Sequence, residues 1–368
     1  MRSACVLIFF SNNKTLFMSL FSKASILVCC MLLPVLTTAR AATVNNPLQQ
    51  IAFVKSTQGR FVNADNPAPG AQHVTVGLYG VNIYNFDLRS STYAMTGYMW
   101  FRWKGDFDPV ESLDFINLVQ SYDFLKKTLL DKPILLSNGE KYQAIRFDGC
   151  FFQPFDLTSY PIDKQELSLC VENSSDTADK MCFVPDTVST GYDAGLQVPG
   201  WNIIGLETKA YIHDYVTDFG EKGAENASKY SGIKFTLRLE RYINYFIWKL
   251  MMPLLIILLT NWLSLLLHPT FFEVRTAMPA TALLTVVFLQ QSASDSIPGT
   301  SFLVLIDKIY LLAYLCIALT LLQIIVINAK YNKESFESIQ RVIKIDKVSF
   351  VVQIMIFVVI FMVLVTQR

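Results

Sequence analysis

Four long apolar runs restrict this chain more than any other feature: Ile243 to Leu267, Ala277 to Ser294, Phe302 to Asn328 and Val348 to Thr366. Each is long enough, at 1.5 Å of rise per helical residue, to cross a hydrocarbon layer of ~30 Å. In lipid the backbone must satisfy its own hydrogen bonds, so runs of this length are read as helices. Composition agrees, since 52% of the 368 residues are hydrophobic and only 17% charged. A formal net charge of +1 supplies no basic field for nucleic acid. Among the seven Cys and three His no zinc-ligand spacing or P-loop occurs, so neither a metal nor a cofactor is expected. His73, His213 and His268 are isolated, and no nucleophile elbow or paired-carboxylate motif points to an enzyme.

Before Tyr242 the periodicity is different. From Thr43 onward the chain reads as strands, with turns at Asn66-Pro67, Asn138-Gly139 and Pro199-Gly200. Val74, Val76 and Leu78 alternate with polar or small neighbours, and Ile233, Phe235, Leu237 and Leu239 alternate with Lys234, Thr236, Arg238 and Glu240. Half-buried strands of this kind imply an antiparallel sandwich. At the N-terminus Lys23 precedes the apolar run Ala24 to Leu36, and Ala39-Arg40-Ala41 is a small-x-small cleavage pattern, so residues 1–41 read as an export signal. Met18 is an alternative start. An uncleaved anchor helix is disfavoured because the run is shorter than the ~20 residues of a span. The division expected is therefore a signal at 1–41, a β-sandwich at 42–242 and a helical membrane unit at 243–368. Lys330, Lys333, Arg341, Lys344 and Lys347, between the third and fourth runs, favour the cytoplasmic side. With four spans, the sandwich and the C-terminus then both lie outside the cytoplasm.

The second run is the least apolar and is flanked by Glu273, Arg275 and Asp295. Steps of four and three residues place Ala277, Thr281, Leu284, Phe288, Gln291 and Asp295 on one stripe. Leu283, Val286, Val287 and Leu289 form the opposite face, suited to packing or lipid. In a ring of copies the stripe lines a water-filled path, with Glu273 carboxylates at its cytoplasmic mouth, and carboxylate rings favour cations. Leu284 and Phe288 then form apolar collars able to stop conduction by dewetting. Equally, Thr281 and Gln291 fit interhelical hydrogen bonds in an ordinary bundle. Pro279 disfavours helical geometry before it and lacks a donor, so the regular helix is expected to begin near Pro279 or to kink there.

The run Phe155-Asp156-Leu157-Thr158-Ser159-Tyr160-Pro161-Ile162-Asp163-Lys164-Gln165 resembles the aromatic-Pro-x-Asp-x-Gln signature of the Cys-loop receptor superfamily. Arg241 lies twelve residues before Pro253, as that family separates its pre-membrane Arg from the first-helix Pro, and Gly200-Trp201-Asn202-Ile203 looks like its Gly-Trp-Asp-Ile strand. The resemblance spans essentially the whole mature chain, and the short link between the third and fourth runs looks like the prokaryotic branch. It implies an immunoglobulin-like extracellular sandwich on a four-helix bundle, assembled as a homopentamer in the bacterial inner membrane. Such a channel contacts membrane lipids and takes a small-molecule or ionic agonist at subunit interfaces, and the Glu273 ring read above is what makes monovalent cations the expected permeant ions. It implies coupling where Pro161, Asp163, Arg241 and the loop carrying Asp87 meet beside Pro298. Asp163 and Arg241 are the expected ion pair.

The same resemblance puts the agonist under the hairpin loop Asp218 to Lys229. Tyr215, Phe219 and Tyr230 flank or line that loop, Tyr98 and Arg102 lie on a complementary strand, and Tyr122 and Phe124 fall in the first-loop region. Such aromatics can stack on an amine, or accept an amphiphilic acid beside Arg102 or Lys229. The family's eponymous disulfide would join positions held here by Gln153 and Leu167, so it is absent and the loop must close otherwise. Cys150 pairing with Cys170, or Cys182 with Cys170, remain open alternatives, because sequence does not fix connectivity. A membrane sensor that signals to a partner without conducting is the other functional reading, weakened by the lack of a cytoplasmic output domain after the fourth run. A secondary transporter would show repeated halves with interrupted spans. Lys249, Asp307 and Lys308 lie near the outer ends of their spans, where snorkelling accounts for them.

Overall fold

The computed structural model of the chain describes residues 60–63, 70–119, 123–215, 217, 228–295, 297–330 and 335–366. The export signal expected at residues 1–41 lies outside them. Among the described residues twelve strands come first. One sheet has the order β1 (Arg60–Asn63), β11 (Trp201–Tyr215), β12 (Ser228–Arg241), β8 (Lys164–Thr177), β4 (Leu113–Phe115). The second runs β10 (Gly191–Tyr192), β2 (Gln72–Asp87), β3 (Thr92–Trp103), β7 (Lys141–Phe152), β5 (Leu125–Thr128), with β9 (Met181–Pro185) beside β2 and β6 (Ile134–Leu135) beside β7.

The alternation read from sequence is what joins the two sheets. Val74, Val76 and Leu78 of β2 and Ile233, Phe235, Leu237 and Leu239 of β12 are all buried in one apolar cluster, with Met99, Phe101 and Trp103 of β3 and Phe147 and Phe151 of β7. Each fully buried side chain of this size contributes about 1.5–3 kcal/mol of transfer free energy. A one-residue slip would turn the whole set outward, which fixes the register.

Four helices follow, each long and apolar enough to cross a membrane: α1 (Phe246–Leu266), α2 (Phe272–Ser294), α3 (Leu305–Lys330) and α4 (Phe336–Thr366). The expected fold class, a β-sandwich followed by a four-helix bundle, is therefore the one observed. In α1 a π-helical stretch, Phe246–Met251, precedes Pro253, whose missing N–H leaves an i−4 carbonyl to be accommodated by a widened turn.

The boundaries of α2 and α4 differ from those read in the sequence. Helix α2 starts at Phe272 and holds Pro279 in its interior, so the regular helix does not begin near that proline. Helix α4 starts at Phe336, taking in charged residues assigned above to a connection. A charge pair accompanies each extension. Glu337 and Arg341 pair one turn apart at 3.3 Å on α4, while Arg275 of α2 and Asp346 of α4 are buried against each other. Helix α3 is the inner helix, with Ile309, Tyr310, Ala313 and Ile317 fully buried.

Candidate functional site

On α2, Arg275, Pro279, Ala282, Val286 and Ala293 form the buried face. The stripe Glu273, Ala277, Thr281, Leu284, Phe288, Gln291 and Asp295 is exposed along its whole length. Leu284 and Phe288 are 57% and 66% exposed, a large apolar area for two residues one turn apart. Of the face expected to pack, Val286 is buried and Leu289 packs partly against the bundle, while Leu283 and Val287 are exposed. Thr281 Oγ1 donates to the Ala277 carbonyl at 2.9 Å and Gln291 Nε2 donates to Asp295 Oδ1 at 3.3 Å. Both bonds join residues four apart along the chain, whereas between helices Tyr310 and Tyr314 of α3 donate to Leu289 O and Gln290 Oε1 at 3.4 and 2.6 Å, and Arg275 bonds to α1 and α4.

At the junction between sandwich and helices, Arg241 ends β12 and Asp163 precedes β8. Arg241 Nε and Nη2 donate to the two Asp163 oxygens at 2.6 and 3.1 Å, and the Arg241 backbone N–H donates to the Asp163 carbonyl at 3.2 Å. The guanidinium lies 4.1 Å from the Trp201 ring centroid and 5.0 Å from that of Tyr160, so aromatic faces cover the fork. Side-chain exposures of 12% and 1% make this a desolvated pair, in which bidentate geometry counts. Trp201 reaches the site because it pairs with Arg241 in the β11–β12 ladder and because Gly200, at φ +84°, makes the left-handed turn before it.

The loop from Phe155 to Gln165 then enters the helices. Leu157 and Tyr160 are buried among residues of the bundle, beside Leu88 of the β2–β3 turn and Ile297 and Val304 of the α2–α3 link. Leu305 and Ile306 N–H, free of intrahelical acceptors at the start of α3, donate to the Thr158 and Tyr160 carbonyls at 3.1 and 3.2 Å. Pro161 follows Tyr160, and Pro298 lies half-buried beside Ile297. The Asp87 loop does reach this place, through Leu88 and through Phe86, which meets Phe155 and Trp201 edge-on. The Asp87 carboxylate itself turns back, accepting from Arg89 N–H at 2.9 Å and Ser90 Oγ at 2.8 Å, and these bonds hold it below the usual carboxylate range.

Amides close the loop where no disulfide does. Gln153 Oε1 accepts from Ser168 N–H at 3.0 Å, directly after Leu167. Gln165 brackets the Asp156 backbone, its Oε1 accepting from N–H at 3.2 Å and its Nε2 donating to C=O at 2.7 Å, and also donates to Asp163 Oδ2 at 2.6 Å. Cys150 and Cys170 carry free thiols, and Cys182 Sγ donates to the Ala178 carbonyl at 3.0 Å, so neither proposed disulfide is formed. Burial pushes the Cys170 thiol up to about 11, which keeps it protonated and unreactive.

Of the residues expected around an agonist, Tyr215 and Tyr230 come together, ring centroids 5.8 Å apart, at the base of the hairpin. Tyr98 lies on the other sheet under Arg146, 5.8 Å away. Arg102 donates to Asp186 at 2.9 Å. Phe124 packs against Phe115 and closely over Gly149, inside the sandwich. Tyr122, Phe219 and most of the hairpin loop lie outside the described residues.

Two clusters escaped the sequence reading. Glu172 of β8 accepts from Tyr211 Oη and Tyr215 Oη, each at 2.8 Å, and meets His213 Nδ1 at 2.8 Å. Alternation along β11 puts those three on one face, and Gly232 lets the Tyr211 ring cross β12, since a Cβ there would come within 2.3 Å of it. Burial, then the Glu172 charge, push both phenols up, so they remain donors. The i, i+2, i+4 spacing of Tyr211, His213 and Tyr215 was visible, but its acceptor two strands away was not. The second cluster joins Arg275, Asp346 and Gln323 near the start of α2, at the end of the bundle far from the sandwich.

No protein-family model matches the chain. Among curated proteins it is similar to a γ-aminobutyric acid receptor subunit beta-like protein of Drosophila melanogaster, 25% identical over 208 residues, which is 56% of this chain and 40% of that relative. It is also similar to γ-aminobutyric acid receptor subunit beta of Lymnaea stagnalis, 23% identical over 54% of this chain and 38% of the relative. The subunit beta-4 of Gallus gallus is 26% identical over 47% of this chain and 34% of its own length. The chain thus spans well under half the length of these relatives, and its distant homologues are γ-aminobutyric acid receptor subunits.

Proposed function

We propose that the chain is a subunit of a bacterial-type ligand-gated ion channel, assembled as a homopentamer, with α2 lining a pore for monovalent cations. Residues 42–242, outside the cytoplasm once 1–41 are removed, receive a small agonist between subunits, and residues 243–368 form the membrane unit. The carrying observation is the exposed α2 stripe. Only 22% of α2 is buried within the protomer, against 50% of α3, yet α2 is the least apolar of the four helices. A surface holding Glu273, Thr281, Gln291 and Asp295 is costly against lipid, while α4, which is still less covered, is apolar enough to meet it. A water-filled axis satisfies both helices at once. The short link between Lys330 and Phe336 supports the bacterial type.

Leu284 and Phe288 serve as the gate, and Asp163, Arg241 and the loop through Pro161 transmit motion of the sandwich to the start of α3 and the link at Pro298. Tyr215 and Tyr230, with the hairpin residue Phe219, form one side of the agonist site, and Tyr98 and Arg102 of the neighbouring subunit form the other. The names of the relatives make γ-aminobutyric acid and related small amines the first compounds to screen. Purified protein in planar bilayers should show agonist-dependent unitary currents, and Glu273→Gln should lower the cation-to-anion permeability ratio in asymmetric salt. Silence, or flux of fixed stoichiometry, rejects the channel; a reversal potential that Glu273→Gln leaves in place rejects the carboxylate ring.

A further inference from the structure

The ion pair at the inner end of the bundle lies apart from the junction and the agonist region, and its chemistry bears on permeation. Arg275 follows Glu273 by two residues, about 3 Å along the axis of α2. The two point differently: Glu273 is exposed, Arg275 buried. Arg275 Nη2 donates to Asp346 Oδ2 of α4 at 2.5 Å, and its Nε donates to the Ser264 carbonyl of α1 at 3.2 Å. Gln323 Nε2 of α3 donates to the other Asp346 oxygen at 3.0 Å. All four helices therefore converge on one pair whose side chains are 4% and 1% exposed.

Glu337, Arg341, Lys344 and Lys347 of α4 do not share this place; Arg341, Lys344 and Lys347 are exposed, as is Glu337, and salt screens them. Asp346 is the charged residue of α4 that is buried. A buried ion pair is weak evidence for stability, because desolvation offsets most of the coulombic gain and apolar residues of like volume pack as well. Its distinctive effect is on charge. With Asp346 in place, the guanidinium two residues after Glu273 is compensated on the buried face of α2. Without it, each subunit would hold one uncompensated positive group on the buried face of α2, two residues along the chain from Glu273, and the summed charge of the two at the mouth of the ring would be zero.

We propose that Asp346 determines ion selectivity by neutralising Arg275, leaving Glu273 to set the sign of the field at the inner mouth. This rests on α2 lining the pore, and the test separates the two. In reconstituted full-length protein, Asp346→Asn should cut the cation-to-anion permeability ratio by roughly tenfold, the scale of one uncompensated charge per subunit buried behind the carboxylate ring. Arg275→Gln combined with Asp346→Asn should restore it, because the pair is then neutral. Where Asp346→Asn alone assembles poorly, pentamers mixed with unaltered subunits should show a graded shift. A conducting Asp346→Asn channel with an unaltered reversal potential overturns the proposal only, as does failure to assemble even in mixtures, which would make the pair structural. Absence of current from the unaltered protein overturns the pore reading and this proposal with it.

Discussion

Asp186 shows how a single carboxylate organises the outer face of the second sheet. It accepts from Trp100 Nε1 at 3.1 Å, Arg102 Nη2 at 2.9 Å and Ser189 N–H at 3.1 Å. Burial alone would raise its carboxyl, but the Trp100 indole, the Ser189 amide and the Arg102 charge outweigh burial and hold it below the usual range. With the folded value below the unfolded one, its stabilising contribution is complete above the unfolded value of ~3.9 and disappears as pH falls through the folded value. Asp186→Asn should therefore cost about 1–3 kcal/mol at neutral pH and flatten the acid limb of the melting curve below pH ~4. Melting temperatures from pH 7 to 3 that fall in parallel for both proteins would contradict this. Neither side-chain donor announces Asp186 in the sequence, because Trp100 and Arg102 lie on β3 and the carboxylate follows β9.

Among the elements, α2 and α4 carry the largest departure from the sequence reading, and for one reason. Hydropathy marks a span by what lipid tolerates, so Arg275 and Asp346 ended the expected segments, yet each is the other's partner across the bundle. A long-range pair leaves no periodic trace. Strands β2 and β12 were legible because their alternation is local, and α3 was legible because its apolar run is long and nearly unbroken. The α2 stripe was legible as a pattern, and what the protomer adds is that its members are uncovered. From that exposure follows a prediction for Leu284→Ala. In the protomer the side chain is half free, so thermal stability should change little. In a closed ring it would lose about 2 kcal/mol of apolar contact per subunit, moving the agonist midpoint to lower concentration by roughly tenfold or more. A concentration–response curve with an unmoved midpoint, together with no rise in resting leak, would place the gate elsewhere.

At the scale of the whole molecule, the junction makes two folding units into one mechanical body. Arg241→Gln should leave the Asp163 carboxylate buried beside a weaker partner, costing about 3–5 kcal/mol at the junction. The sandwich and the helices should each remain folded by circular dichroism, while agonist-evoked current drops at equal surface amount. Retained current of normal size would show that the pair is only an anchor. Asp163 and Arg241 were read from the sequence by resemblance, whereas the amide clamps of Gln153 and Gln165 were not, since a side chain bonding to backbone has no characteristic spacing. The acceptors offered to α3 are likewise backbone, the carbonyls of Thr158 and Tyr160. Main-chain oxygens are common to every sequence. These two bonds therefore tolerate any residue at Thr158 that keeps the loop's path, and discrimination between one seat and another falls to the apolar side chains of Leu88, Leu157 and Tyr160 packed among the helices.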